Sequence, residues 1–256
     1  MKIVIKDPIK ANKFSTIIQH LKQITDNVSF YFRPNGLYIQ CMDGNHCCLF
    51  ECALSATWFD DYSFEAETDQ ATIGITLPLF YKVINVRHES QTLELEVTTN
   101  TILVHFIGSG KFDKHFQLSL IHIDYEPMEP TPIDTTVDLT MDGKSLCEMV
   151  NQLMIFNDVI IFTFKEEIIY LESTGIEGSM KVDIKIDDVK EYAIAEDTLT
   201  QTYSLKYIQL MCQFNKLSSE IKMGFSKGMP MTMKYELSED SFVMFHLAPK
   251  IQDDND

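Results

Sequence analysis

Arginine is almost missing from this chain of 256 residues: only Arg33 and Arg87 stand among its 21 cations, and the rest are lysine. Arginine supplies the planar fork that reads base edges, so a base-reading role has few tools here. Positive charge is scarce altogether. Thirty-eight acids bring the net charge to −17, the reverse of the usual nucleic-acid binder. Long apolar runs are absent too. None approaches the roughly 18 residues of a membrane span, and Met1-Lys2-Ile3-Val4-Ile5-Lys6 lacks the apolar core of a secretory leader. No membrane partner is expected.

Cysteine is sparse and unpatterned, with six in all. Cys41, Cys47, Cys48 and Cys52 hold no clean C-x₂-C pair, so no structural zinc is expected. On a strand, Cys48 and Cys52 share one face with Cys47 opposite, the pattern of core thiols in a reducing interior. Catalytic constellations are missing as well. Asp43 and His46 stand without a nucleophile or a Gly-rich phosphate loop. His20, His88, His105, His115, His122 and His246 are scattered, and Asp60-Asp61 and Asp187-Asp188 read as turn acids. No enzyme, cofactor or metal is expected.

What is present is a core. Hydrophobic residues make up 45% of the chain and aromatics 11%, which argues against disorder. The length suits one large domain or two small ones. Val28–Phe32, the turn Arg33-Pro34-Asn35-Gly36 and Leu37–Gln40 read as a β-hairpin. Leu93–Val97, Ile102–Phe106, Lys181–Ile186, Thr232–Leu237 and Phe242–Leu247 read as further strands. Helical spacing predicts four helices. Their apolar faces are Phe14, Ile17, Ile18, Leu21 and Ile24; Leu79, Val83 and Val86; Leu146, Met149, Val150 and Leu153; and Leu205, Ile208, Met211 and Cys212. Between them lies Asp124–Asp134, with three prolines and four acids, an extended linker at the midpoint.

The halves on either side repeat. Phe14…Leu21 matches Leu146…Leu153 at an offset of 132, and Leu37-Tyr38-Ile39 matches Ile168-Ile169-Tyr170 at 131. Leu93-Glu94-Leu95 matches Ile221-Lys222-Met223 at 128, and Phe116-Gln117-Leu118 matches Phe245-His246-Leu247 at 129. Such slow drift is what loop-length changes produce. The reading is two copies of one α+β unit, each with two helices on a sheet.

Three stretches carry a family resemblance. Gly36-Leu37-Tyr38-Ile39-Gln40-Cys41-Met42-Asp43-Gly44-Asn45-His46 resembles a strand leading into a "QxMDxxH" turn, Lys227-Gly228-Met229-Pro230 an "MP" turn, and Leu247-Ala248-Pro249-Lys250-Ile251 a terminal "LAPKI". End to end, the chain resembles the proliferating cell nuclear antigen family, the sliding clamps of DNA replication. The resemblance implies the α+β DNA clamp fold, with two similar domains of two helices on antiparallel sheets. They would span 1–119 and 137–256, joined by a connecting loop at 120–136. It also implies a homotrimeric, pseudo-sixfold ring that encircles double-stranded DNA without sequence preference. Its further partners would be DNA polymerase, the clamp loader and other PIP-box proteins. Its place would be the nucleus, or a cytoplasmic replication compartment if the source is viral. An alternative within the fold is a checkpoint-type subunit of a heterotrimer.

Site residues follow from the resemblance by position. The DNA channel is expected to use Lys10, Lys13, Lys22, Lys82, Arg87, Lys206 and Lys216. Residue charge agrees with this: the four helix windows hold eight cations and one acid, leaving −24 for the rest of the chain. Asn85, Asn151, Gln213 and Glu148 stand where the family usually has cations, so the DNA-facing charge is expected to be uneven between the domains. The partner-peptide groove is expected at Met42, His46, Met128, Pro230, Leu247, Ala248 and Pro249. Methionine suits a surface that serves many partners. Glu129-Pro130-Thr131 departs from the family's apolar loop, so peptide preference is expected to differ. Subunit contact is expected between edge strands, through Lys111, Lys114, Phe116 and Leu118 on one side and Met180, Val182 and Ile184 on the other. Glu166 occupies the family's ubiquitin-carrying position, with Lys165 beside it.

Overall fold

Residues 1–108, 112–124 and 126–250 are described by the computed structural model. They divide into two units, one made of Met1–Gly44, Phe50–Met128 and Leu237–Val243, the other of Asn45–Leu49, Glu129–Glu236 and Met244–Asp256.

The first half of the chain runs β1 (Lys2–Ile5), α1 (Pro8–Leu21), β2 (Asn27–Arg33), β3 (Gly36–Met42), β4 (Cys48–Ser55), β5 (Asp61–Ser63), β6 (Ala71–Thr76), α2 (Leu77–Ile84), β7 (Gln91–Val97), β8 (Thr101–Gly108) and β9 (Lys114–Ser119). The second runs β10 (Val137–Asp142), α3 (Gly143–Leu153), β11 (Val159–Lys165), β12 (Ile168–Thr174), β13 (Ser179–Lys185), β14 (Glu191–Ile194), β15 (Thr198–Ser204), α4 (Leu205–Cys212), β16 (Glu220–Phe225), β17 (Met231–Ser238) and β18 (Ser241–Leu247). The two lists match element for element. A one-turn 3₁₀ helix follows the fifth element in both, at Ala56–Trp58 and Ile186–Asp188.

Strand pairing repeats as well. The order β5-β1-β7-β8-β9 recurs as β14-β10-β16-β17-β18, and β4-β3-β2-β6 recurs as β13-β12-β11-β15. Thus Ile3 faces Leu95 in one copy and Leu139 faces Met223 in the other. The repeat expected from residue offsets is therefore a repeat of pairing. Within the first unit, Ser55 N–H donates to Ser241 Oγ of β18 at 3.0 Å. Within the second, Ala248 N–H, just past β18, donates to Cys47 O, just before β4, at 2.9 Å.

Local chemistry explains the elements. Asp7 caps α1, accepting from Ile9 N–H at 2.8 Å with Pro8 in the first turn. Phe14, Ile17, Ile18 and Leu21 are its buried face. Ile24 lies past the helix end, in a turn closed by its N–H on Leu21 O at 2.9 Å. Gly36 makes the β2–β3 turn at φ 142°, where a Cβ would meet Leu54 O at 2.1 Å. Asp142 caps α3, accepting from Ser145 N–H and Oγ–H at 2.8 Å each. Aromatics fill both cores: Phe30 meets Phe80 edge-on at 6.0 Å in the first, and Phe164 meets Phe225 at 4.5 Å in the second.

The predicted face of the second helix needs correction. Leu79 and Val86 are 51% and 45% exposed, and the buried residues are Leu77, Phe80, Val83 and Ile84. Phe80 and Leu77 are bulky enough to centre the face on themselves, and this rotates Leu79 outward. Val86 falls after the helix end.

Ser145 N–H, the main cause, and Ser145 Oγ–H hold the Asp142 carboxyl below the usual aspartate range. A depressed value means that the cap stabilises the fold above the ordinary range and is lost as pH falls through the lowered one. Asp142→Ala is expected to cost about 1 kcal/mol at neutral pH. Thermal unfolding of both proteins should show that gap closing in acid.

Candidate nucleic-acid and partner interfaces

The helices pack in pairs, α1 with α2 and α3 with α4. On the first pair, Lys22 follows the last turn of α1 with its Nζ 4.4 Å from the Tyr81 ring on α2. That cation–π contact steers the ammonium over the ring. Lys10 lies 5.8 Å from the Trp58 ring. Burial pushes the Lys13 ammonium below its ordinary value. Lys82 is exposed in the last turn of α2, where a cation also complements the helix dipole.

Several strand lysines are paired with acids: Lys2 with Glu94 at 3.0 Å, Lys181 with Glu172 at 3.1 Å and Lys222 with Glu236 at 3.0 Å. The helix lysines stand outside these pairs.

Arg87 is differently employed. Its Nη1 donates to the carbonyls of His88, Glu89 and Gln91, and its Nη2 to Asn12 Oδ1. The guanidinium ties the turn after α2 to α1, so its donors are used in holding the fold.

On the second helix pair, Lys206 and Lys216 are exposed, but the surface between the helices is made of amides. Gln209 Nε2–H donates to Asn151 Oδ1 at 2.9 Å, and Gln213 Nε2–H to Gln209 O at 3.4 Å. The third helix, with Lys144 against Glu148, is neutral, and a neutral stretch of the fourth lies beside it.

The partner-peptide residues separate by unit. In the first, Met42 follows Gln40 on one face of β3. The Gln40 side-chain amide grips the backbone of Met128: Nε2–H donates to Met128 O and Oε1 accepts from Met128 N–H, both at 2.8 Å. Gln40 Nε2 also donates to Tyr38 Oη at 2.9 Å, and Tyr38 Oη–H donates to the buried Glu51 carboxylate at 2.5 Å. Burial, then the Glu51 hydrogen bond, push the Tyr38 phenol well above its ordinary value, so it stays a donor. Held by its backbone, Met128 leaves its side chain 41% exposed.

In the second unit, His46 sits in the left-handed region at φ 56°. Asn45 Nδ2–H anchors its turn on Tyr207 Oη at 2.9 Å. The bond from Ala248 to Cys47 brings that turn beside the C-terminal segment, and Lys250 N–H fixes the segment to Thr202 O at 2.8 Å. Ala248 is exposed, Pro249 and Pro230 are half-buried, and neighbouring Met229 is exposed. Leu247 is 1% exposed. Strand alternation puts it inward with Phe245, so it supports the surface from below.

The expected contact strands are sheet edges, β9 ending one sheet of the first unit and β13 ending one of the second. On β9, Lys114, Phe116 and Leu118 are half-buried. Lys114 Nζ–H donates to Val86 O at 2.5 Å, and Phe116 packs on Phe106 at 5.7 Å. On β13, Met180 and Val182 are half-buried and Ile184 is buried. Lys111 lies outside the described residues.

Sequence reasoning missed the apolar residues around these edges. Ile155 is 75% exposed and Ile176 fully so. Phe156 lies between them, against the glycines of the β12–β13 turn: a Cβ on Gly178 would sit 3.2 Å from its ring. Near the start of β9, Phe112 is 64% exposed. An isoleucine in a turn gives no sequence signal until the turn is known to be uncovered.

Among the described residues, no group of three or more His, Cys, Asp or Glu side chains is placed to hold a metal. No helix among them is long and apolar enough to cross a membrane.

Two copies of one unit, each with paired helices on antiparallel sheets, make up the DNA clamp fold. Models of the proliferating cell nuclear antigen N-terminal and C-terminal domains match residues 9–129 and 130–251. The proliferating cell nuclear antigen of Dictyostelium discoideum is 23% identical over 95% of this chain and 98% of its own length. DNA polymerase sliding clamp 1 of Thermococcus kodakarensis is 24% identical over 95% and 96%. A crystal structure of the PCNA2–PCNA3 complex from Sulfolobus tokodaii superposes with a TM-score of 0.86 at 20% identity, covering 98% of this chain and 99% of that one. The chain belongs to the proliferating cell nuclear antigen family, and its role is that of a DNA sliding clamp.

Proposed function

We propose that three copies close head to tail into a ring around duplex DNA, with the helices toward the duplex and β9 of each copy beside β13 of the next. One observation carries this reading. In the repeat, β18 corresponds to β9 and β4 to β13. β18 and β4 are already bonded at Ser55–Ser241 and Cys47–Ala248, whereas their counterparts end their sheets. A contact between copies would therefore reuse a pairing that the chain makes with itself. Unpaired edges invite such pairing, and head-to-tail contacts close into rings when the rotation permits. Phe112 on one side and Ile155, Phe156 and Ile176 on the other supply apolar surface. Light scattering of the purified chain should give a mass near three times 29.5 kDa. A monomer at micromolar concentration would overturn the ring and favour a subunit that assembles only with different chains.

The ring's channel would touch DNA through Lys10, Lys13, Lys22, Lys82, Lys206 and Lys216, with Arg87 holding the first pair of helices in place. Lysine suits sliding, because its hydrated point charge meets phosphate without a fixed geometry. Partner proteins of PIP-box type, DNA polymerase and the clamp loader among them, would dock peptides on Met42 and Met128 of the first unit and on His46, Pro230, Ala248 and Pro249 of the second. For a eukaryotic source the place of action would be the nucleus.

If so, Met128→Ala should weaken a PIP-box peptide several-fold in calorimetry by removing apolar contact. Gln40→Ala should weaken it by up to about thirtyfold, since it removes two hydrogen bonds to Met128, each worth roughly 1 kcal/mol to loop position. It should also raise amide exchange at Met128. Unchanged affinity in Met128→Ala would remove that residue from the site.

A further inference from the structure

Cys147 of α3 and Cys212, the last residue of α4, meet inside the second unit. Cys147 Sγ–H donates to the backbone carbonyl of Cys212 at 3.2 Å and Asn215 Nδ2–H donates to Cys147 Sγ at 3.1 Å, which places the Cys147 sulfur against the residue that carries the second thiol. Tyr235 Oη–H donates to Met211 O at 2.8 Å and fixes the end of α4 that presents Cys212. The two sulfurs differ in access: Cys147 is half-buried and Cys212 is buried. We propose that Cys147 and Cys212 are a dithiol that peroxide oxidises to a disulfide joining α3 to α4.

The arrangement assigns each sulfur its part. The Cys212 thiol beside it, and then the Asn215 amide, draw the Cys147 thiol below its ordinary value against the opposing effect of burial. The same contact, with burial, pushes Cys212 up, so the shared proton stays there. Cys147 is thus the thiolate that meets the reagent, and Cys212 is the protonated partner behind it. In the first step the Cys147 thiolate attacks peroxide: an S–O bond forms, the O–O bond breaks, and the departing hydroxide is protonated to water. In the second, Cys212 sulfur attacks the sulfenic sulfur of Cys147: the S–S bond forms, the S–O bond breaks, and the leaving hydroxide takes the Cys212 proton as a second water. Two thiols give up two electrons and one peroxide accepts them.

The test uses the full chain. It is treated with a small excess of hydrogen peroxide, blocked with N-ethylmaleimide and digested without reduction. The expected result is a linked Cys147–Cys212 peptide about 2 Da lighter than its two parts. Two thiols per chain should be lost and then recovered with dithiothreitol. Linkage should quicken as pH rises, and at a pH below the ordinary thiol range, because the Cys147 value is lowered. In Cys212→Ser, Cys147 should stop at a sulfenic acid that dimedone traps, while Cys47→Ser should leave the linkage intact. The inference is overturned if Cys147 of the wild-type chain stays open to N-ethylmaleimide after peroxide. It is equally overturned if Cys147 goes to sulfinic acid, or to a bond with another copy, with no link to Cys212. The wild-type map decides even where a variant fails to fold.

Discussion

The double variant Phe156→Asp, Ile176→Asp is expected to be a folded monomer near 29.5 kDa under conditions where the wild-type chain forms the proposed ring. Ile176 is fully exposed within one chain and Phe156 lies at the turn that starts the β13 edge, so neither substitution opens the core. Covering a large apolar side chain is worth about 2 kcal/mol, and two together about 4 kcal/mol, or roughly a thousandfold in each contact. Carboxylates raise the cost, because closure would strip them of water. Circular dichroism would show whether the units remain folded. A double variant that still trimerises at nanomolar concentration would place the contact elsewhere on the surface.

Lys22→Glu is expected to weaken binding to a short duplex by at least roughly tenfold at low salt, and to make the dependence of affinity on salt shallower by up to about one ion per contact. Asn151→Glu should have a clearly smaller effect. Lys22 is poised over Tyr81 and outside the strand ion pairs, whereas Asn151 already spends its carbonyl on Gln209. The first helix pair would therefore carry most of the attraction. Fluorescence anisotropy of both variants across a salt series measures this. Equal losses would mean that charge is sensed uniformly around the channel, and the proposed asymmetry would fall.

Much of this fold was legible because it depends on local pattern. Phe14, Ile17, Ile18 and Leu21 fall on one face by spacing alone. The three prolines of 124–134 exclude ladder and helix whatever surrounds them. The repeat was legible because loop lengths barely changed between halves. Leu79 misled because α2 has only 8 residues, too few for spacing to outweigh the bulk of Phe80. In the candidate site, only the lysines of acid-free helices stand out by residue type. Gln40 gives no such sign. Its partner lies 88 residues away, and a glutamine on a strand looks like any polar residue. Arg87 counted as one more cation until its donors were found on backbone carbonyls. Cys147 and Cys212 became a pair only once α3 and α4 were packed.

The amide grip of Gln40 on Met128 touches only main chain. Nothing in it depends on which side chain residue 128 carries. The attachment of the connecting segment is thereby separated from what the segment displays. If the segment meets partner peptides as proposed, mutations at 128 and 129 would change the preferred peptide while the segment stays anchored, and partner choice would drift over generations without loss of the loop. Glu129-Pro130-Thr131, read from the sequence as a departure from the apolar loop that the resemblance implies, is what such drift would leave behind.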